Sequence, residues 1–425
     1  MASTTASNTW QSHKLGEMAE EVRNLFEPKG AEKYLYVGLE HIEQGTLQLN
    51  SVGQSTDTVS TKKQFNAGEI LFGSLRPYFR KVVRPNFDGV CSTDITVIRP
   101  KKNCNSGFLQ YFIANQAFID HATNISSGTR MPRASWKTLC ESEWHFPPLP
   151  TQRKIAAILS AYDDLIENNL RRIKILEEMA QNLYREWFVK FRFPACAAGA
   201  AGRPSHQHAR FTDSPLGRIP EGWEGVPLGD IVNLCRKGVQ PQNFPDELFE
   251  HFSFPAYDSG KLPAIEKGQT IKSGKYEVPR NCVLVPKLNP HIPRVWLPRP
   301  SNDLRSIAST EYLILEPKKY STAFYYVLFS SPEMVEKLAG RADGTSTSHK
   351  RLKPGDFLEQ LTVAPPDSLT DAFDSLVVPA MDLVISLIHK NTTLRRTRDL
   401  LLPRLISGEV DVSELDIAVP EEAET

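Results

Sequence analysis

Cysteine is scarce. The 425 residues hold six, Cys91, Cys104, Cys140, Cys196, Cys235 and Cys282, with no Cys-x-x-Cys spacing among them. The first ten residues lack the basic-then-apolar order of an export signal, so free thiols are expected rather than a disulfide framework. No run reaches the ~18 apolar residues of a membrane span. The expectation is a cytoplasmic protein with no membrane partner. Charge of either sign is also missing in excess, since 50 Lys and Arg meet 50 Asp and Glu. That excludes a globally polybasic chain but leaves room for a local basic face. Metal ligands are sparse too. His206-x-His208 lies in an Ala/Gly/Pro/Ser stretch with no further ligand near it, which reads as linker, and no metal site is expected.

Catalytic motifs are equally thin. A methyltransferase acting on adenine needs an Asp/Asn-Pro-Pro-aromatic tetrapeptide. The two Pro-Pro pairs here read Phe146-Pro147-Pro148-Leu149 and Ala364-Pro365-Pro366-Asp367. Gly268 to Lys275 mimics a phosphate loop, but its glycines are one residue too far apart and Tyr276 stands where Ser or Thr must hold Mg²⁺. Asp246 with Glu316-x-Lys318 suggests a metal-dependent nuclease only until Arg99-x-Lys101 is seen at the matching place in the first half. No enzyme activity is expected of this chain.

What is present is a repeat. Trp10-x-x-x-x-Leu15-Gly16-Glu17 returns as Trp223-x-x-x-x-Leu228-Gly229-Asp230. In the same order, Leu75-Arg76-Pro77-Tyr78 matches Leu288-Asn289-Pro290-His291, and Ser92-Thr93-Asp94-Ile95 matches Ser309-Thr310-Glu311-Tyr312. Gly128-Thr129 matches Gly344-Thr345, and Pro147-Pro148 matches Pro365-Pro366. The offset stays at ~215 residues throughout, as a duplication with small loop insertions would leave it. Each half opens with short apolar runs broken by Pro and Gly, which predict strands and turns with a few short helices. The divisions expected are a domain over 1–150, a helix over 151–193, a linker over 194–215, a second domain over 216–366, a helix over 367–408 and an acidic tail over 409–425. The tail carries seven acids and no Lys or Arg, and fraying is expected there.

Both predicted long helices carry a ladder that alternates steps of four and three, the period of a coiled coil. The first runs Ile155, Leu159, Tyr162, Ile166, Asn169, Ile173, Leu176, Ala180, Leu183, Trp187. The second runs Phe373, Val377, Ala380, Val384, Leu387, Asn391, Leu394, Arg398, Leu401, Leu405. Antiparallel pairing with residue numbers summing to about 560 sets Asn169 against Asn391, and a buried Asn layer is a register device in coiled coils. The same pairing sets Ala180 against Ala380 and Tyr162 against Arg398. Packing of each helix on its own domain is the competing arrangement. Pro379 and Pro403 each remove a backbone donor and predict kinks in the second helix.

Four segments resemble one family. Leu149-Pro150-Thr151-Gln152-Arg153-Lys154-Ile155-Ala156-Ala157-Ile158-Leu159-Ser160 and Ala180-Gln181-Asn182-Leu183-Tyr184-Arg185-Glu186-Trp187-Phe188-Val189 are similar to the central conserved region of Type I restriction–modification specificity subunits. Pro220-Glu221-Gly222-Trp223 resembles that family's entry to its second recognition domain. Leu400-Leu401-Leu402-Pro403-Arg404-Leu405-Ile406-Ser407-Gly408-Glu409 resembles the end of its second conserved helix. The resemblance implies an α+β fold: two similar mixed α/β target-recognition domains joined by two long antiparallel coiled-coil helices, with a pseudo-twofold half-repeat. It implies a non-catalytic reader of a bipartite, asymmetric site on double-stranded DNA, with two modification (methyltransferase) subunits and restriction (translocase–nuclease) subunits as partners. No cofactor is then expected in this chain. S-adenosylmethionine, ATP and Mg²⁺ would belong to the partners. A recognition module for a stand-alone adenine methyltransferase and a coiled-coil scaffold are the alternatives.

DNA affinity needs cations for phosphates, and specificity needs forked donors for base edges. Residues 62–84 hold Lys62, Lys63, Arg76, Arg80, Lys81 and Arg84 against Glu69 alone. Residues 267–305 hold Lys267, Lys272, Lys275, Arg280, Lys287, Arg294, Arg299 and Arg305 against Glu277 and Asp303. Tyr78 and His291 occupy matching places in the Leu-x-Pro-x motif. The Gly-Thr loops add Thr129, Arg130 and Arg133 in the first half, and Thr345, Ser346, Lys350 and Arg351 in the second. The DNA-contact candidates are therefore Lys62, Lys63, Arg76, Tyr78, Arg80, Lys81, Thr129, Arg130, Arg133, Lys272, Lys275, Lys287, His291, Arg294, Thr345, Ser346, Lys350 and Arg351.

Overall fold

A computed structural model describes residues 10–28, 33–128, 130–194, 210–344 and 350–419. Thr129, Thr345, Ser346, Cys196, His206 and His208 lie outside the described residues, as does most of the expected linker. The chain forms two compact units: residues 1–167 with 392–425, and residues 168–391. The division cuts through both long helices, Leu149–Tyr184 and Asp367–Ile406. Each unit therefore holds the first part of one helix and the last part of the other.

The first helix starts at Pro-rich sequence because Pro150 falls in the first turn, where a missing N–H costs nothing. Gln152, fully buried, ties that start to the first unit: its amide donates to the Pro147 carbonyl (2.9 Å) and its oxygen accepts from Asn105 N (2.9 Å). Every described position of the two apolar ladders is buried or half-buried. Asn169 Nδ2 donates to Asn391 Oδ1 at 2.8 Å within the second unit. In the first unit Arg398 pairs with Asp163, so the expected partner Tyr162 is off by one residue. A carboxylate one step along the helix is the better match for a guanidinium buried in that layer. Asn169→Leu takes its donor from the buried Asn391 oxygen and should cost about 1–3 kcal/mol in urea unfolding. The pair Asn169→Leu with Asn391→Leu should regain most of it. An unchanged midpoint in the single variant would show that the layer carries no such strain.

Three expectations change. The second helix runs unbroken through Pro379 and Pro403, both of which are exposed, so the ring of each faces away from the packed side. The tail is not frayed over its described length. Val410 and Ile417 pack on the first unit's core, Val412 is buried in it, and Lys154 Nζ donates to Ser413 O at 2.6 Å. Lastly, the second long helix does contain a stretch apolar enough by composition to cross a membrane. Phe373, Val377, Met381, Val384 and Leu387 from that helix are buried in the second unit's core, while Leu376 beside them is exposed.

The repeat is structural as well as sequential. In the first unit a five-stranded sheet has the order Leu25–Phe26, Lys62–Phe65, Gly89–Cys91, Leu35–Val37, Gly53–Gln54. In the second the order is Gly238–Val239, Lys275–Glu277, Arg305–Ser309, Leu248–Phe252, Ala264–Lys267. Each sheet has its one parallel pair in the same place, Leu35–Val37 with Gly89–Cys91 and Leu248–Phe252 with Arg305–Ser309. The Leu-Gly motif is explained by close approach. A Cβ on Gly16 would meet the Cys140 carbonyl at 3.1 Å, and one on Gly229 the Leu358 carbonyl at 3.3 Å. The paired tryptophans lie by the helix ends, Trp10 against Gly408 and Trp223 against Phe188, Phe191 and Phe193. The five described cysteines are free thiols, and burial pushes Cys91 and Cys104 up to about 12.

Candidate nucleic-acid interface

Three of the repeated motifs meet in each unit. In the first, Arg76 and Arg80 adopt left-handed backbone conformations (φ 52° and 50°) on either side of the short turn Pro77–Phe79. Left-handed non-glycine backbone costs about 1–2 kcal/mol per residue, so neighbours must hold the turn. Arg76 N donates to Pro132 O at 2.7 Å, Ala134 N to Ser74 O at 3.0 Å, and Ser74 N to Asp94 O at 3.0 Å. The Arg133 guanidinium pairs with the Asp94 carboxylate. The Leu75 turn, the Ser92-Thr93-Asp94 turn and the loop ending at Arg133 thus form one cluster.

The second unit repeats it. Asn289, matching Arg76, is also left-handed (φ 49°), a conformation that asparagine adopts more readily. Asn289 N donates to Lys350 O at 2.7 Å, Leu352 N to Lys287 O at 2.9 Å, and Lys287 N to Glu311 O at 2.7 Å. Arg351 Nη2 lies 2.9 Å from Glu311 Oε1. The backbone scaffold is kept while the outward side chains differ.

Not all the candidates face outward. Tyr78 is 47% exposed, and Arg130, Arg133, Lys272, His291, Lys350 and Arg351 are exposed. Arg76 is half-buried, with Nη2 on the Arg130 carbonyl (3.3 Å). Others are committed to the protein. Lys62 is buried and donates to the carbonyl and hydroxyl of Ser60 (2.7 and 2.6 Å), while Lys275 does the same with Ser273 (2.9 and 2.6 Å). Burial lowers the pKa of both amines. Lys63 Nζ donates to Ile95 O (2.9 Å), Lys81 to Leu39 O, and Lys287 to Thr310 O (2.7 Å). Arg80 donates to Ala114 O at 2.7 Å, and burial lowers its pKa, as does nearby Arg398. Arg294 is held by both oxygens of Asp258 (2.7 and 2.8 Å), a bidentate hydrogen bond that raises its pKa. Charge counting along the sequence gathered both sets because it cannot separate a cation facing solvent from one folded onto a carbonyl.

Asp94 and Glu311 were missed as parts of the site. They set the orientation of Arg133 and Arg351, and the matching acid in the Ser-Thr-Asp/Glu repeat was the available signal. Among the described residues no group of three or more His, Cys, Asp or Glu side chains is placed to hold a metal ion.

Residues 7–178 match the family model of the Type I restriction modification DNA specificity domain. A Type I restriction enzyme specificity subunit of Methanocaldococcus jannaschii is 26% identical over 75% of this chain and 72% of its own length. One from Haemophilus influenzae is 22% identical over 94% of this chain and 99% of its own. In fold, the chain is similar to the Type I specificity subunit structure from M. genitalium, with a TM-score of 0.56 at 13% identity over 95% of this chain and 98% of that one. Its residues 7–178 thus match the DNA specificity domain model of Type I restriction–modification systems, and the chain as a whole is similar to specificity subunits of those systems in sequence and in fold.

Proposed function

We propose that this specificity subunit reads a two-part, asymmetric DNA site, one part per unit, and seats two methyltransferase subunits and, with them, restriction subunits. The observation that carries the reading is the paired turn cluster: one scaffold, two sets of readers. Arg76, Tyr78, Arg130 and Arg133 occupy the first, and Asn289, His291, Lys350 and Arg351 the second. Arginine forks favour guanine O6 and N7, whereas Asn and His present other donor and acceptor patterns. Identical scaffolds with different side chains suit unlike half-sites. The first long helix, 36 residues, is ~54 Å long at ~1.5 Å each, longer than one DNA turn of about 34–36 Å. Leu165, Ile175, Met179, Leu376 and Leu400 are exposed on these helices, and apolar side chains left in water there suit subunit docking. S-adenosylmethionine would be bound by the methyltransferase subunits, and ATP with Mg²⁺ by the restriction subunits.

Methylome sequencing of cells expressing this chain with its modification subunit tests the reading. One interrupted motif with methyladenine in both parts is expected. A continuous palindrome, or methylation without a motif, would refute it.

A further inference from the structure

Resting on that reading, we infer that each recognition turn is positioned by a long helix through a strut loop, and that Glu177 and Arg398 are the helix residues that set it. In the second unit the strut is the segment 254–263. Lys261 Nζ lies 2.8 Å from Glu177 Oε1 on the first long helix, and the Tyr326 hydroxyl donates to the same oxygen at 2.9 Å. At its other side the strut grips the chain just past the His291 turn. The Tyr257 hydroxyl donates to Pro293 O at 3.3 Å, and Asp258 takes both guanidinium branches of Arg294. Lys261 sits in the left-handed region (φ 56°), a conformation that its side-chain partners must hold. Burial opposes the charge on Lys261, but Tyr257 and Glu177 outweigh it and raise its pKa, so the ammonium stays charged.

The first unit has the same connection in different chemistry. Its strut is the segment 43–48, where Leu47 matches Lys261 and is also left-handed (φ 65°). Arg398 Nη1, on the second long helix, donates to Thr46 O at 3.1 Å, and Arg395 Nη2 to Gln48 Oε1 at 3.4 Å. Gly45 N then donates to Arg80 O at 3.2 Å, at the end of the Arg76 turn. Arg80 O and Pro293 O are matching atoms of the repeat. Two unlike sets of bonds thus join the same three places, helix, strut and turn. Packing alone does not fix the second strut, because a cavity of about 80 Å³ lined by Glu177, Tyr257, Lys261 and Trp296 lies beside it.

The connection crosses the chain order. Arg398 follows the second recognition domain in sequence yet serves the first, whereas Glu177 lies between the two domains and serves the second. The test is a methylation assay of the complete chain with its modification subunit on a DNA library randomised through both half-sites. Glu177→Gln and Lys261→Met should each lower base discrimination by about tenfold in one half only. That half is the one that changes when residues 216–366 are exchanged for a relative's. The reversed pair Glu177→Lys with Lys261→Glu should restore it, a rescue that separates positioning from general loss of stability. Arg398→Lys should relax the opposite half. Equal loss in both halves, or no change in either, overturns the strut while leaving the two-part reading intact. A wild-type motif without two parts overturns both.

Discussion

Ending the chain at Asn391 is expected to unfold the first unit and leave the second folded. The second unit, 168–391, is one continuous segment, whereas the first is completed by residues 392–425. Leu402, Leu405, Ile406 and Val412 from that returning segment are buried in the first unit's core. At ~1.5–3 kcal/mol for each buried side chain, their removal costs about 6–12 kcal/mol, comparable with the ~5–15 kcal/mol that holds a whole domain together. Losing Arg398 along with them strips Asp163 of its cation. Limited proteolysis of the shortened chain should yield a resistant fragment close to 168–391 and digest residues 10–167. Supplying 392–425 as a peptide should restore protection. Equal resistance of both units in the shortened chain would refute the interdependence.

The second large effect belongs to Arg398 itself. The residue is 1% exposed and carries one of the largest fully buried side chains described. The guanidinium meets Asp163, Asp399 (2.9 Å) and the Thr46 carbonyl, while the Tyr111 hydroxyl donates to Asp163 at 2.6 Å. Burial alone would lower the pKa of Arg398, but Asp163 and Asp399 outweigh it and the net direction is upward. Arg398→Met leaves the Asp163 carboxylate buried without its cation, and such a loss costs about 3–5 kcal/mol. Chemical denaturation of the first unit should show it. Exchanging both partners, Arg398→Ala with Asp163→Met, should recover much of the loss, because the matching layer of the second unit is Ala180 and Met381, both buried. A single variant as stable as the wild type would show that Asp163 finds solvent or another donor.

These two effects mark where sequence reading reached and where it stopped. The ladders were legible because burial on a long helix recurs every three or four residues, whatever lies opposite. The turn clusters were legible as repeated short motifs, though not as one site. Leu75, Asp94 and Arg133 are distant in sequence and meet only through backbone bonds such as Ser74 N to Asp94 O. Lys62 and Lys275 have the composition of phosphate contacts, yet each amine folds back on the serine two residues before it. Pro379 and Pro403 are read as kinks because propensity counts the lost donor and not the face on which the ring lies; the helix is continuous through both.

Scarce cysteine and balanced charge excluded export frameworks and a polybasic chain, and the duplicated motifs with their paired heptads determined the architecture. Those features are local or periodic, and so are carried by residue order alone. Tertiary structure decided which basic side chains face solvent, that the acidic tail completes the first unit, and that Arg398 meets Asp163 from the far end of the chain. The last two depend on antiparallel pairing of the two helices, which brings the end of each beside the start of the other and makes neighbours of residues that the chain keeps more than two hundred positions apart.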